Sequence, residues 1–134
     1  MHRTEIQVRY GDTDALGHIN NAVYATYAEY GRIDLFRAAL GMYTEAGETG
    51  GFILARIAID FRSQIRLGQK VEVLSGVSRI GNSSIEVKQR VLADGVLAAE
   101  IEAVVVAFDY AQQRPVRVPD AVREAAANPL YRAD

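Results

Sequence analysis

Asp12, Asp14, His18, Asn20 and Asn21 crowd into the head of one stretch, YGDTDALGHINNAVYATYAEYGRIDLF, running from Tyr10 to Phe36. A carboxylate in such a loop can activate water or attack an electrophile directly. The residues after Asn21 carry a helical pattern, so the loop ends where a first helical turn presents unpaired N–H groups and a partial positive charge. An electron-rich group beside Asn21 and Ala22 would be polarised there. A carboxylate next to a preorganised donor suits attack on a carbonyl whose oxygen gains charge. Each residue also has a plainer reading: Asp12 and Asp14 as turn residues, His18 as a loop hydrogen-bonder, Asn20 as a helix cap. Glu29 and Arg32, three apart, read as an ion pair.

The elements that must hold this loop follow from periodicity. Tyr24, Tyr27, Ala28, Gly31, Leu35 and Ala38 recur at steps of three and four, which predicts a helix from Asn21 to Leu40 with that face buried. Asn20 and Asn21 stand at its N-cap and Gly41 at its C-cap. Gly31 costs about 1 kcal/mol of helix propensity, so a close approach to a sheet is its expected reason. Before the loop, Ile6, Val8 and Tyr10 alternate with Gln7 and Arg9, predicting a strand over Glu5 to Tyr10. Met42 to Gly51 reads as a turn of helix plus a loop.

Strands are predicted over Phe52 to Phe61 and Lys70 to Ile80, joined through Leu67-Gly68-Gln69. Gly81-Asn82 turns the chain into Ser83 to Leu92, and Asp94-Gly95 turns it into Val96 to Tyr110. The run AVVVAF within the last strand is apolar on both faces, which predicts a central position. Pro115 and Pro119 end the pairing, and Asp120 is placed to cap a short helix ending near Ala127. One strand, one long helix and four further strands give an α+β hotdog fold: a five-stranded antiparallel sheet curled around one long central helix.

Composition narrows the function. The 134 residues suit a single domain, 1–134, and 49% hydrophobic content argues against disorder. A net charge of -2 supplies no basic field for nucleic acid. No apolar run approaches a membrane span or a signal segment, and without cysteine there is neither disulfide nor thiolate metal site; a cytoplasmic protein is expected. The segment DTDALG imitates a calcium loop, but Leu16 and Val23 stand where oxygen ligands are required, so no metal is expected. Ser83 has no histidine or acid near it in sequence, which leaves a serine triad unsupported.

The segment VRYGDTDALGHINNAVYATYAEYGR resembles the signature of the 4-hydroxybenzoyl-CoA thioesterase-like branch of hotdog acyl-CoA thioesterases, in its D-x-D-x-x-G-H-I-N-N-x-x-Y core and its Y-x-E-x-x-R continuation. FRSQIRLGQ and RIGNSS extend the likeness over most of the chain. The resemblance implies hydrolysis of an acyl- or aroyl-CoA to free acid and coenzyme A, without a cofactor. It places Asp14 as the catalytic carboxylate, the Asn21 amide as the donor to the thioester carbonyl, and His18 and Asn20 in the subgroup pattern; Asp12 is left structural. Tyr24 is grouped with the substrate-binding residues.

Arg62, Arg66 and Arg79, with Asn82, Ser83 and Ser84, fall around strand ends, where they suit coenzyme A phosphates or form a solvated rim. Two alternatives share the fold: a non-catalytic acyl-CoA-binding module, which needs no carboxylate at Asp14, and a hydratase or dehydratase, which wants a histidine elsewhere than His2 or His18. Tyr30, Ile33 and Phe36 lie off the buried stripe and need another surface, and the strand from Phe52 to Phe61 would be a hazard with a free edge. A homodimer or homotetramer with active sites at subunit boundaries is expected.

Overall fold

Four long runs of period-two alternation pair into one antiparallel sheet in a computed structural model of the chain, which describes residues 1–40 and 50–134. In chain order the elements are β1 (His2–Ile6), α1 (Val23–Leu40), β2 (Gly50–Phe61), β3 (Val71–Ile80), β4 (Ser84–Ala93), β5 (Val96–Asp109), a two-residue β6 (Arg114–Pro115) and α2 (Asp120–Ala126). The strand order is β1-β3-β4-β5-β2, with β6 added beside β5. The expected hairpins are present: Ile80 pairs with Ile85 across the Gly81 turn, and Ala93 with Val96 across Asp94-Gly95. Asp94 and Gly95 both take positive φ, 49° and 80°, as a two-residue hairpin of this hand requires.

The helix α1 lies against this sheet through Tyr24, Tyr27, Ala28, Gly31 and Leu35, all buried. Gly31 is where the two come closest. A Cβ there would sit 2.7 Å from Val73 Cγ1 and 2.9 Å from both Ser75 Oγ and Gln89 Nε2, inside contact distance. The apolar core falls into two clusters, one around Tyr24, Tyr27, Val73, Val91 and Ile101, the other around Leu35, Val77, Val87, Val105 and Val122. A polar layer separates them. Gln89 donates to the carbonyl of Ala28 (2.8 Å) and to Ser75 Oγ (2.9 Å), and accepts from Arg32 Nη1 (3.2 Å).

Several expectations need correction. The first strand is His2–Ile6, not Glu5 to Tyr10: Ile6 pairs with Val71, where β3 begins, so the chain beyond Ile6 has no partner strand. Tyr10–Asp12 is a 3-10 turn, with Tyr10 exposed. The helix begins at Val23, because Asn20 closes a turn ahead of it: its carbonyl accepts from Val23 N and its side chain from Ala22 N. Ala38 is exposed. Arg32 is buried against Gln89, and exposed Glu29 acts on it as a nearby charge without a direct salt-bridge contact among the described residues. Pro119, not Asp120, occupies the N-cap of α2. The expected Gly41 cap and the loop expected from Met42 lie outside the described residues up to position 49; Gly50 and Gly51 belong to β2.

Candidate active site

The loop from Asp12 to Asn20 is built as a short hairpin zipped onto the β2–β3 connection. Asp14 N donates to His18 O (2.7 Å), Thr13 bridges Ile19, Ile19 N donates to Ile65 O (2.8 Å), and Asn20 N donates to Asp12 O (2.9 Å). A further bridge joins His18 to Arg66. Gly17 lies at the turn of this hairpin with φ 81°, a left-handed conformation that explains a glycine before His18. Tertiary hydrogen bonds therefore fix the backbone of the loop that carries Asp14, His18 and Asn20.

Asp12 and Asp14 differ in surroundings. Asp12 is 3% exposed and saturated: Arg9 N (3.0 Å) and Tyr27 Oη (2.7 Å) donate to Oδ2, and Arg9 Nη2 (3.2 Å) donates to Oδ1. Burial works to raise its pKa, but these donors outweigh it and hold the carboxyl below its ordinary value. Burial, reinforced by the Asp12 carboxylate, pushes the Tyr27 phenol well above the ordinary tyrosine value. The helical spacing alone accounts for Tyr27 only as a core residue. A buried tyrosine needs a partner for its hydroxyl, and that was the available signal.

Asp14 is exposed. Its Oδ1 accepts from Leu16 N (2.8 Å) and His18 N (3.2 Å), which fixes the carboxylate, while Oδ2 accepts no hydrogen bond among the described residues. The helix start is divided in the same way. Asn20 occupies the amides of Ala22 and Val23, and the exposed Asn21 N–H donates to no described residue. One carboxylate oxygen and one amide donor thus stand open to solvent on the same short loop. The His18 side chain is half-buried beside them.

The other expected site residues scatter. Tyr24 is buried, with its ring edge-on to Phe61 (centroids 5.0 Å apart) and its hydroxyl directed at Ser63 O (3.4 Å). Arg62 follows β2 near the loop and pairs with Glu100 (2.9 Å). Arg79 pairs with Glu86 (3.3 Å), which lies opposite Val104 on β5, whereas Arg62 N bonds to Ala98 O. From Ala98 to Val104 is about 20 Å along a strand, so the two arginines occupy different ends of the sheet. Asn82 and Ser83 lie in the β3–β4 turn at the Arg79 end, with Ser84 opening β4, and Asn82 Nδ2 donates to Ser83 Oγ (3.3 Å). The expected anion rim is therefore divided within one subunit.

A cleft of about 490 Å³ opens between α1 and β1, with Arg3, Arg9, Tyr30, Ile33 and Arg37 among its walls. Asp12 and Tyr27 are among its walls, and Asp14, His18 and Asn21 are not. Among the described residues no group of three or more histidine, aspartate or glutamate side chains is placed to hold a metal ion. No described helix is long and apolar enough to cross a membrane.

Comparison with known proteins bears on this arrangement. Residues 8–126 match the thioesterase-like superfamily. A chloroplastic acyl-acyl carrier protein thioesterase of Arabidopsis thaliana is 32% identical over 92% of this chain and 66% of its own length. The acyl-CoA thioester hydrolase YbgC of Escherichia coli is 24% identical over 91% of this chain and 92% of its own. The crystal structure of a Thermus thermophilus thioesterase complexed with coenzyme A and zinc superposes with a TM-score of 0.82 at 35% identity, covering 92% of this chain and 95% of that one.

Proposed function

Because the chain belongs to the thioesterase-like superfamily and has its hotdog fold, we propose that it hydrolyses the thioester of an acyl- or aroyl-CoA, or of the same acyl group on a carrier protein, using Asp14 and the Asn21 amide. The observation that carries the reading is the pair of uncommitted groups on one rigid loop: Asp14 Oδ2 and Asn21 N–H. The carbonyl oxygen takes the Asn21 hydrogen bond and gains charge there as the carbon becomes tetrahedral. Asp14, held through Oδ1, removes a proton from water as it attacks, or attacks the carbonyl carbon itself to form an anhydride that water then opens. In either course the C–S bond breaks, the thiolate leaves and is protonated, and water supplies the oxygen of the free acid. Asp12 keeps the loop in place through Arg9 and Tyr27.

The working unit in this proposal is at least a homodimer. β2 is a sheet edge, and its Leu54 and Phe61 are 46% and 49% exposed. Pairing β2 antiparallel with its symmetry mate closes that edge. It also sets the Asp14 end of one sheet beside the opposite end of the other. Arg79 of the partner subunit, with its β3–β4 turn, then approaches the site that the same residues cannot reach within one chain. A single hotdog unit over residues 1–134 in a reducing, cytoplasmic setting completes the proposal.

Purified protein offered a panel of acyl- and aroyl-CoA thioesters with a thiol-reactive dye tests it. The proposal expects thiol release with at least one member. Retention of every thioester intact, or hydration of an enoyl member without thiol release, would remove it.

A further inference from the structure

We propose that Arg66 recognises the phosphate of the 4′-phosphopantetheine arm that carries the thioester; this rests on the thioesterase reading above. Among the described residues Arg9, Arg62 and Arg66 belong to the segments that flank or bond this loop, and the first two are occupied. Arg9 pairs with buried Asp12 (3.2 Å), and Arg62 directs Nε (3.2 Å) and Nη2 (2.9 Å) at Glu100 Oε2. Arg66 differs. Its backbone is fixed on both sides, with N donating to Gln69 Oε1 (2.8 Å) and O accepting from Gln69 N (3.3 Å), while Gln69 Nε2 in turn donates to Asp94 Oδ2 (3.3 Å). Its side chain is exposed and its guanidinium pairs with no described residue.

Position makes that uncommitted fork useful. His18 bridges Arg66 on one side and bonds Asp14 on the other. Two strand spacings, about 10 Å, therefore separate the backbones of Asp14 and Arg66, before the reach of the arginine side chain is added. A thioester whose carbonyl sits at Asp14 and Asn21 has its sulfur arm leading away from the acyl group, and the first charged group along that arm is the phosphate. A planar guanidinium on a fixed root matches phosphate geometry in a way a lysine does not. Coenzyme A and a carrier protein both present this phosphate, so the contact serves either donor. In a chain of net charge -2, an unpaired cation beside the loop is a local attraction for an anionic substrate.

The test uses one acyl group carried on pantetheine, on 4′-phosphopantetheine and on coenzyme A. Arg66→Ala should raise KM roughly three- to tenfold for the two phosphate-bearing thioesters, leave the pantetheine thioester unchanged, and leave kcat unchanged for all three. Arg66→Lys should fall between wild type and alanine, and the KM difference should shrink at high salt. The same measurement on acyl carrier protein and on acyl-CoA distinguishes the sources, since whichever donor the wild type turns over should show the loss. An equal rise for all three small thioesters overturns the proposal, because Arg66 would then act on the loop. A rise confined to acyl-CoA also overturns it, by placing Arg66 at the nucleotide. Absence of wild-type turnover on every thioester would instead overturn the thioesterase reading.

Discussion

Replacing Asp12 by asparagine keeps the shape of the side chain but takes a negative charge away from donors that are already committed to it. Arg9 and Tyr27 contribute three hydrogen bonds to that carboxylate, which is buried. We expect Asp12→Asn to lower stability by about 1–3 kcal/mol, read from urea unfolding, with a smaller loss of kcat than removal of the Asp14 carboxylate. Equal losses of kcat at the two positions would mean that their roles are not divided in this way. The motif alone marked Asp14 and Asn21, because their spacing is local. The Asp12–Tyr27 bond was not legible: it joins residues 15 apart across a turn whose fold the sequence does not display. The division of the anion rim within one chain was not legible for the same reason, since Arg62 follows one strand and Arg79 lies near the end of another, and sequence does not say which ends lie together.

At the scale of elements, alternation and turn residues located four of the strands to within two residues, and Asp94-Gly95 fixed one hairpin outright. The first strand was displaced because alternation reports burial rather than pairing: Val8 still packs against the core, yet β3 begins opposite Ile6. β1 is tied to α1 by Asp34, whose Oδ2 meets His2 Nε2 and Thr4 Oγ1, each at 2.8 Å. Burial works to raise the Asp34 pKa, but the hydrogen bonds from His2 and Thr4 prevail and hold it below the ordinary aspartate value. A depressed carboxylate stabilises the fold once pH is above its unfolded pKa, and that contribution is lost as pH falls through the folded value. Stability should therefore be level near neutrality and decline below about pH 4, with Asp12 acting in the same direction. Urea midpoints for wild type and Asp34→Asn between pH 7 and pH 3 check this. The variant should show a shallower acid decline, and identical slopes would exclude Asp34 from it.

For the whole molecule, the expected need of Tyr30, Ile33 and Phe36 for a further surface resolves unevenly. Phe36 finds it within the chain, stacked on Phe52 with centroids 5.5 Å apart, while Tyr30 remains 53% exposed and Ile33 39%. β2 is one of the two sheet edges, with β1 at the other, so the hazard expected of its length and apolar content if it stood at an edge applies to it. Leu54→Lys on that edge should leave the stability of one chain within about 0.5 kcal/mol, yet reduce the mass in light scattering from a multiple of 14.7 kDa towards 14.7 kDa, with activity falling in parallel. A fully active species of monomer mass would contradict the shared site.

In the proposed reaction the open carboxylate on the zipped loop performs the hydrolysis. Thiol release from an acyl-CoA that the wild type cleaves, measured for Asp14→Asn at equal protein concentration with unfolding midpoints alongside, tests it most directly. The amide can still accept the hydrogen bonds from Leu16 N and His18 N but can serve as neither base nor nucleophile. Asp14→Asn should keep an unchanged midpoint and turn over slower by on the order of 10²-fold or more; a folded Asp14→Asn protein that releases thiol at the wild-type rate would rule out Asp14 as base or nucleophile.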